Sequence, residues 1–212
     1  NSLESVVLPH ALSSIGESAF LNNALTSVEL PAAVASIENE AFANNLLADV
    51  VIPEGVTTIG DSAFTNNRLV RATLPSSLTA IGDNAFANNQ LASIVIPDSV
   101  ASLGTSAFAS NELTSFTLPS SLTSIPDSLF NGNRLTAVAI PDTVMSIGAY
   151  AFASNYLSVA TLPAGLTTIG NGAFVYNALT DITIPNSVTV INEWAFAGNL
   201  FTELTIPDSV TT

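Results

Sequence analysis

The sequence contains no cysteine and no lysine, and it has only one histidine and three arginines among its 212 residues. The absence of thiols excludes disulfide bonds, thiolate nucleophiles and cysteine-ligated zinc. The absence of lysine excludes Schiff-base chemistry and the lysine of a phosphate-binding loop. His10 is expected to be an exposed turn residue and not part of a Ser-His-Asp triad. We therefore predict no enzyme activity, no catalytic residue, no metal site and no cofactor.

Positive charge is scarce, and 17 acidic residues bring the formal net charge to −14. Binding to nucleic acid requires clustered cations that neutralise phosphates, so no nucleic-acid partner is expected. No apolar run approaches the roughly 18 residues that a membrane-spanning helix needs, so no membrane insertion is expected. The first ten residues, NSLESVVLPH, lack the charged and apolar regions of a signal peptide, so no export signal or anchor is expected within this chain.

Three residue types recur at an unbroken interval of 22 residues. Proline does so from Pro9 to Pro207, phenylalanine from Phe20 to Phe196, and asparagine in a third register. The repeated asparagines are Asn23, Asn45, Asn67, Asn89, Asn111, Asn133, Asn155, Asn177 and Asn199. A period between about 20 and 29 residues indicates a solenoid, in which each repeat buries its apolar face against its neighbours. We predict a single domain over residues 1–212 with about nine and a half repeats and no evident caps.

Within one repeat, the apolar residues indicate where the chain is extended. Ile94 and Ile96 alternate about Val95, which predicts a strand with one buried face. Pro97 lacks the N–H that a strand ladder needs, so it is expected to end the strand and begin a turn. The Ala-Phe pair at 107–108 is expected to lie on a short helical turn. The predicted fold class is an α/β-type repeat solenoid with a parallel β-sheet.

Stacked repeats place equivalent positions beside one another, which suggests two kinds of structural contact. The repeated asparagines are expected inside, with their amides bonded to backbone groups of adjacent coils. Arg71 lies one repeat after Asp49, and Arg134 lies one repeat after Glu112. We predict an ion pair between repeats for each of these couples, worth only about 0–1 kcal/mol at the surface.

Asp61 and Asp83 occupy the same register in consecutive repeats and are expected to be neighbours. Two adjacent carboxylates offer oxygen ligands of the kind that Ca²⁺ prefers. Alternatively, each is a solvated turn residue that caps a helix end. Asn and Thr at other positions of this register favour capping.

Four large aromatic residues near the C-terminal end are candidates for a ligand-binding site. Tyr150 and Trp194 share one register two repeats apart, and Tyr156 and Tyr176 occupy nearby loop positions. Aromatic rings are common contact anchors in interfaces. They also serve to cover the core of terminal repeats, and this alternative stays open. The exposed strand positions offer mostly small side chains and no aromatic anchor, so they are less promising.

The units at 43–64, ANNLLADVVIPEGVTTIGDSAF, and at 87–108, ANNQLASIVIPDSVASLGTSAF, resemble the BspA-like leucine-rich repeats of bacterial surface proteins. This resemblance implies a curved parallel β-sheet on the concave face, with short helical turns and loops opposite. Many members carry Cys shortly after the Ala-Phe pair, where this chain carries Asn. Pro126 and Asn192 depart from the usual Gly, and Leu129 departs from the usual Ala.

The resemblance implies a non-enzymatic module, secreted or at a bacterial cell surface, that mediates adhesion or protein or glycan binding. Its expected partner is a protein or glycan on another cell or in a matrix. An alternative is a structural spacer or a self-assembling fibre unit that forms by end-to-end stacking of uncapped repeats. The sequence leaves both hypotheses open.

Overall fold

The computed structural model describes residues 1–212 and contains two compact units, unit 1 over Asn1–Pro119 and unit 2 over Ser120–Thr212. In both units the chain winds into stacked coils. Paired strand residues lie 22 positions apart, for example Thr58 with Ala80 in unit 1 and Ser146 with Thr168 in unit 2. The predicted parallel-strand solenoid with 22-residue coils is confirmed.

Each coil contributes short strands, and all strand pairs are parallel. Unit 1 contains β1 (Ser14–Ile15), β2 (Ser36–Ile37), β3 (Asp49–Val51), β4 (Thr58–Ile59), β5 (Arg71–Thr73), β6 (Ala80–Ile81), β7 (Ser93–Val95), β8 (Ser102–Leu103) and β9 (Ser115–Thr117). Unit 2 contains β10 (Ser124–Ile125), β11 (Ala137–Ala139), β12 (Ser146–Ile147), β13 (Val159–Thr161), β14 (Thr168–Ile169) and β15 (Val190–Ile191). The two-residue strands form the sheets β1-β2-β4-β6-β8 and β10-β12-β14-β15, and the three-residue strands pair as β3-β5, β7-β9 and β11-β13.

The three-residue strands follow from the apolar alternation in each repeat. In β7, Ile94 is buried between the exposed Ser93 and Val95. The proline that follows the strand ends it, and its carbonyl accepts the Val100 N–H at 3.0 Å to close the turn. Sequence reasoning missed the two-residue strands, because two residues leave no alternation that indicates a strand.

The segments that carry the Ala-Phe pair contain no helix, so the predicted short helical turns are wrong. Along these segments, successive backbone N–H groups donate alternately to a carbonyl of the next coil and to a carbonyl of their own coil. Phe42 N–H donates to Ala63 O of the next coil at 2.8 Å, and Ala43 N–H donates to Glu40 O of its own coil at 3.1 Å. A helix would direct these groups back into its own coil. The alternation requires left-handed backbone, seen at Glu40 with φ 55° and Asn44 with φ 56°.

No helix is present that is long and apolar enough to cross a membrane.

The core of each unit is built around a stack of phenylalanine rings. In unit 1, successive rings from Phe20 to Phe108 lie 5.2–5.6 Å apart, centroid to centroid. In unit 2, rings from Phe130 to Phe196 lie 5.5–5.8 Å apart. The stack requires one phenylalanine at the equivalent position of every coil, so neighbouring coils must contain the same number of residues.

Candidate ligand-binding surface

The repeated asparagines join consecutive coils through their side-chain amides. Asn67 Nδ2 donates to Phe42 O at 2.9 Å and to Phe64 O at 3.1 Å. Its Oδ1 accepts the Leu47 N–H at 3.0 Å. The same three bonds recur at Asn45, Asn89, Asn111, Asn155 and Asn177. These amides satisfy buried backbone N–H and C=O groups of their own and adjacent coils.

The charged residues singled out from the sequence lie on exposed surfaces. Arg71 Nη2 lies 3.2 Å from Asp49 Oδ1, and the two residues are directly opposite on β5 and β3. Both side chains are largely exposed, so the ion pair contributes at most about 1 kcal/mol. The pairing of Glu112 with Arg134 stays a prediction.

The acidic register of unit 1 links coils through backbone amides and does not cap helices. Asp61 Oδ1 accepts the Asp83 N–H at 2.8 Å, and Asp83 Oδ1 accepts the Thr105 N–H at 2.7 Å. The side chain of Asn39 plays the same role for the Asp61 N–H, at 2.8 Å. No group of three or more His, Asp or Glu side chains is arranged to hold a metal ion.

The four aromatic candidates are exposed on three consecutive coils of unit 2. The exposed fractions are 44% for Tyr150, 64% for Tyr156, 62% for Tyr176 and 66% for Trp194. The coils are directly adjacent, because Tyr150 N–H donates to Asn171 O at 2.8 Å and Gly172 N–H donates to Glu193 O at 2.9 Å. The structure therefore places these residues on directly adjacent coils of unit 2. Leu200, on the third of these coils, is 61% exposed.

Three of these aromatic residues have left-handed backbone conformations. The φ angle is 56° at Tyr150, 56° at Tyr176 and 64° at Trp194. Bulky residues are rare in this region, which costs an L-residue roughly 1–2 kcal/mol, whereas Asn and Gly adopt it readily. Unit 1 fills the equivalent positions with small or polar residues: Ser18, Glu40, Ser62, Asn84 and Ser106 in one register, and Asn22, Asn44, Asn66, Asn88 and Ser110 in the other. The left-handed backbone is therefore a feature of the coil in both units, and the aromatic residues occupy positions that unit 1 fills with small or polar residues.

Each of two tyrosine rings lies over a glycine of the next coil. A Cβ atom built on Gly172 would lie 2.6 Å from Cε1 and 2.8 Å from Cδ1 of Tyr150. A Cβ atom on Gly198 would lie 2.6 Å from Cδ1 and 3.0 Å from Cε1 of Tyr176. Any larger residue at either glycine would displace the ring. The two glycines therefore leave the space that the rings of Tyr150 and Tyr176 occupy, and both tyrosines remain exposed.

Sequence reasoning found the four aromatic residues but missed the glycines beneath them. A signal for them exists in the sequence, because Gly172 follows Tyr150 by 22 residues and Gly198 follows Tyr176 by the same interval. That signal can be interpreted only when it is known that each tyrosine ring lies against the residue 22 positions later. The left-handed backbone at the aromatic positions has no sequence signal of its own, since Tyr and Trp are not typical of that conformation.

The free energy of unfolding of the Tyr176→Asn variant is expected to be about 1 kcal/mol higher than that of the Tyr156→Asn variant. The two side chains are almost equally exposed, at 62% and 64%, so both changes lose a similar apolar contact. Only Tyr176 has the left-handed conformation that Asn relieves. Urea unfolding of both variants measures the difference. Equal effects of the two changes would show that Tyr176 is not strained.

A family model described as BspA type leucine-rich repeat region matches residues 1–114 and 102–212 of the chain, with six copies. The two matched ranges together cover the chain. No curated protein matches it.

Solved structures of bacterial leucine-rich repeat proteins are similar to the chain. A leucine-rich repeat protein from Bacteroides ovatus is 29% identical with a TM-score of 0.76, over 85% of this chain and 49% of that one. A leucine-rich cell surface protein from Faecalibacterium prausnitzii is 26% identical with a TM-score of 0.56, over 96% of this chain and 73% of that one. The pneumococcal vaccine antigen PcpA, at 23% identity and a TM-score of 0.68 over 95% and 61%, shows the fold alone. The chain thus spans about half the length of the Bacteroides ovatus protein.

Proposed function

The chain belongs to the BspA type leucine-rich repeat family, and we propose that it is a non-enzymatic binding module that mediates adhesion at a bacterial cell surface. Leucine-rich repeat proteins commonly mediate protein binding or adhesion. The cell-surface part of the proposal is supported by the similar protein from Faecalibacterium prausnitzii, which is named as a cell surface protein. The proposal treats residues 1–212 as one repeat domain, because both units are built from the same 22-residue coil.

The observation that carries this proposal is the set of exposed aromatic residues on adjacent coils of unit 2, which are Tyr150, Tyr156, Tyr176 and Trp194. A role in covering the core would require these rings to be mostly buried, and three of them are more than 60% exposed. In unit 1 the positions equivalent to Tyr150, Tyr176 and Trp194 hold small or polar residues, so the coil does not need aromatic residues there to fold.

These aromatic residues have the chemistry of a contact surface. Tyr and Trp offer large apolar faces together with one hydrogen-bonding group, and they lose little side-chain entropy on binding. Such residues dominate the energetics of many interfaces. The rings of Tyr150 and Tyr176 already pack against glycines of the next coil, which lowers the entropic cost of ordering them on binding.

Replacement of all four aromatic residues by Asn is expected to reduce adhesion at least about tenfold, because each interface anchor of this kind is worth roughly 1 kcal/mol or more. The measurement is attachment of protein-coated fluorescent beads to cultured epithelial cells and to a panel of bacterial cells. The control is the double variant Val51→Thr and Val95→Thr, which changes two exposed valines on strands of unit 1. It is expected to attach like the unchanged protein.

Equal attachment by the aromatic variant and the control would overturn the assignment of this surface. A mass that grows with protein concentration in light scattering, together with no attachment to any cell, would favour the self-assembling spacer instead. Circular dichroism of the aromatic variant checks that the solenoid is intact, which we expect because Asn is well suited to the left-handed positions.

A further inference from the structure

Two of the exposed aromatic residues, Tyr150 and Trp194, share one register, and Gly172 is the residue between them in that register. A Cβ atom on Gly172 would lie 2.6 Å from Cε1 of Tyr150, so the tyrosine ring occupies the space that a side chain of Gly172 would need. Gly172 N–H donates to Glu193 O of the following coil at 2.9 Å. Because adjacent coils lie about 4.8 Å apart, the Tyr150 ring is close to the segment that carries Trp194.

An exposed carboxylate lies in the same segment. Glu193 directly precedes Trp194, and its carboxylate accepts no hydrogen bond and joins no ion pair. Asp83, in the same register of unit 1, differs because its Oδ1 accepts the Thr105 N–H of the next coil at 2.7 Å. Glu17, also in this register, accepts no N–H although a coil follows it. The Glu193 charge is therefore free to meet a partner that packs on the aromatic rings.

Basic residues are almost absent from unit 2. Arg134 is its single Lys, Arg or His residue, against six acidic residues. The acidic residues are Asp127, Asp142, Asp181, Glu193, Glu203 and Asp208. Such a charge distribution attracts cationic partners and repels anionic ones. A neutral partner that covered Glu193 would leave a carboxylate out of water without a counter-charge, which is costly.

An arginine side chain complements both the rings and the carboxylate. Its planar guanidinium group stacks on the faces of Tyr and Trp rings, and its N–H donors pair with a carboxylate in a bidentate geometry. A lysine ammonium group is a point charge and does not offer the same stacking plane. The exposed rings of Tyr156 and Tyr176 extend the aromatic surface over adjacent coils, so an extended peptide segment meets more than one ring.

We propose that Tyr150, Glu193 and Trp194 dock an arginine-rich segment of a partner protein. A second copy of this chain is a poor source of that segment, because it carries only three arginines, and Arg71 is already paired with Asp49. The inference rests on the proposed adhesive function and specifies the chemistry of its partner.

The test uses the fluorescence of Trp194, the single tryptophan of the chain. The protein is titrated with hexaarginine, hexalysine, hexaserine and hexaglutamate. Hexaarginine is expected to shift the Trp194 emission saturably and to bind more tightly than hexalysine, whereas hexaserine and hexaglutamate are expected not to bind. Added salt is expected to weaken the binding of hexaarginine, because it screens exposed charges.

Two variants and a matched control locate the site. Tyr150→Asn removes one ring, and Glu193→Gln removes the carboxylate; each is expected to weaken hexaarginine binding at least about threefold. The control Glu17→Gln changes the net charge by the same amount in the same register, where Ser18 and not an aromatic residue follows. It is expected to change the affinity by less than about 1.5-fold, because a single distant charge is screened.

Equal weakening by Glu17→Gln and Glu193→Gln would show that net charge alone attracts the peptide, and the site would then be wrong. Unchanged affinity in Tyr150→Asn would remove the ring from the site and contradict the proposal. Tighter binding of hexalysine would contradict the preference for arginine, and tighter binding of hexaserine would replace the basic partner by an uncharged one.

The outcomes separate this inference from the proposed function. If hexaarginine does not bind but the four-residue aromatic variant loses cell attachment, the arginine inference is wrong and the adhesive function stands. If hexaarginine binds through Tyr150 and Glu193 but the four-residue variant attaches like the unchanged protein, the docking site stands and the adhesive role fails. If neither peptide binding nor loss of attachment is observed, both proposals are wrong.

Discussion

The change Asn89→Ala is expected to lower the free energy of unfolding by roughly 3–5 kcal/mol, because it leaves several buried backbone groups unpaired at about 1–3 kcal/mol each. The Asn89 Nδ2 donates to Phe64 O at 2.9 Å and to Phe86 O at 3.1 Å. Its Oδ1 accepts the Leu69 N–H at 3.0 Å. All of these groups are buried, and Ala leaves a cavity too small and too enclosed to hydrate them all.

The neighbouring residue supplies the control for this change. Asn88 is exposed and left-handed, with φ 56°, so Gly replaces it without backbone strain. Asn88→Gly is expected to change stability by less than about 1 kcal/mol. Thermal and urea unfolding measure both variants, and the Asn89→Ala midpoint is expected to fall by roughly 10 °C for a chain of this size. Similar midpoints for the two variants would contradict the structural role of the amide.

The second large effect is expected for Gly60→Ala, which should cost about 2–3 kcal/mol through steric overlap with the preceding coil. A Cβ atom on Gly60 would lie 2.5 Å from Asn39 Oδ1, 2.6 Å from Asn39 N and 2.7 Å from the Glu38 carbonyl carbon. Backbone atoms cannot move aside without separating two coils. The Asn39 side chain is also engaged, since its Oδ1 accepts the Asp61 N–H at 2.8 Å.

The first coil offers a matched control in the same register. A Cβ atom on Gly16 would meet no atom within 4 Å. Gly16→Ala is therefore expected to be neutral or slightly stabilising, by up to about 1 kcal/mol, because Ala reduces the conformational entropy of the unfolded chain. Equal losses in both variants, measured by urea unfolding, would show that this register needs glycine for backbone freedom and not for close approach of the coils.

Sequence periodicity predicted the coil length and the parallel strands. Buried residues such as Ile94 and Phe86 recur at a strict interval because each packs against its counterpart on the next coil. The spacing of residues in the sequence shows this requirement directly. The same reasoning failed for the Ala-Phe segments. A helical turn suits Ala and Phe locally, but the next coil competes for the N–H groups of Phe42 and Asn44 and bonds them at 2.8 and 3.0 Å.

For the candidate site, the sequence singled out four aromatic residues but did not indicate how the chain holds them. Tyr150, Tyr176 and Trp194 stood out as large side chains in registers that are otherwise small or polar, and Tyr156 stood out as a large aromatic residue at a loop position. Nothing in their identity indicates a left-handed backbone, because that conformation is imposed by hydrogen bonds to the adjacent coil, such as Tyr150 N–H to Asn171 O at 2.8 Å.

The sequence by itself determined the repeat, the family resemblance and the columns of equivalent residues, since each depends only on the interval between residues. Tertiary structure alone decided that Tyr150 lies over Gly172, that Asp83 accepts the Thr105 N–H, and that Ser146 and Thr168 of neighbouring coils line one groove of unit 2. Those features arise between coils. They depend on the direction in which each side chain leaves its backbone, and the stacking of neighbouring coils sets that direction.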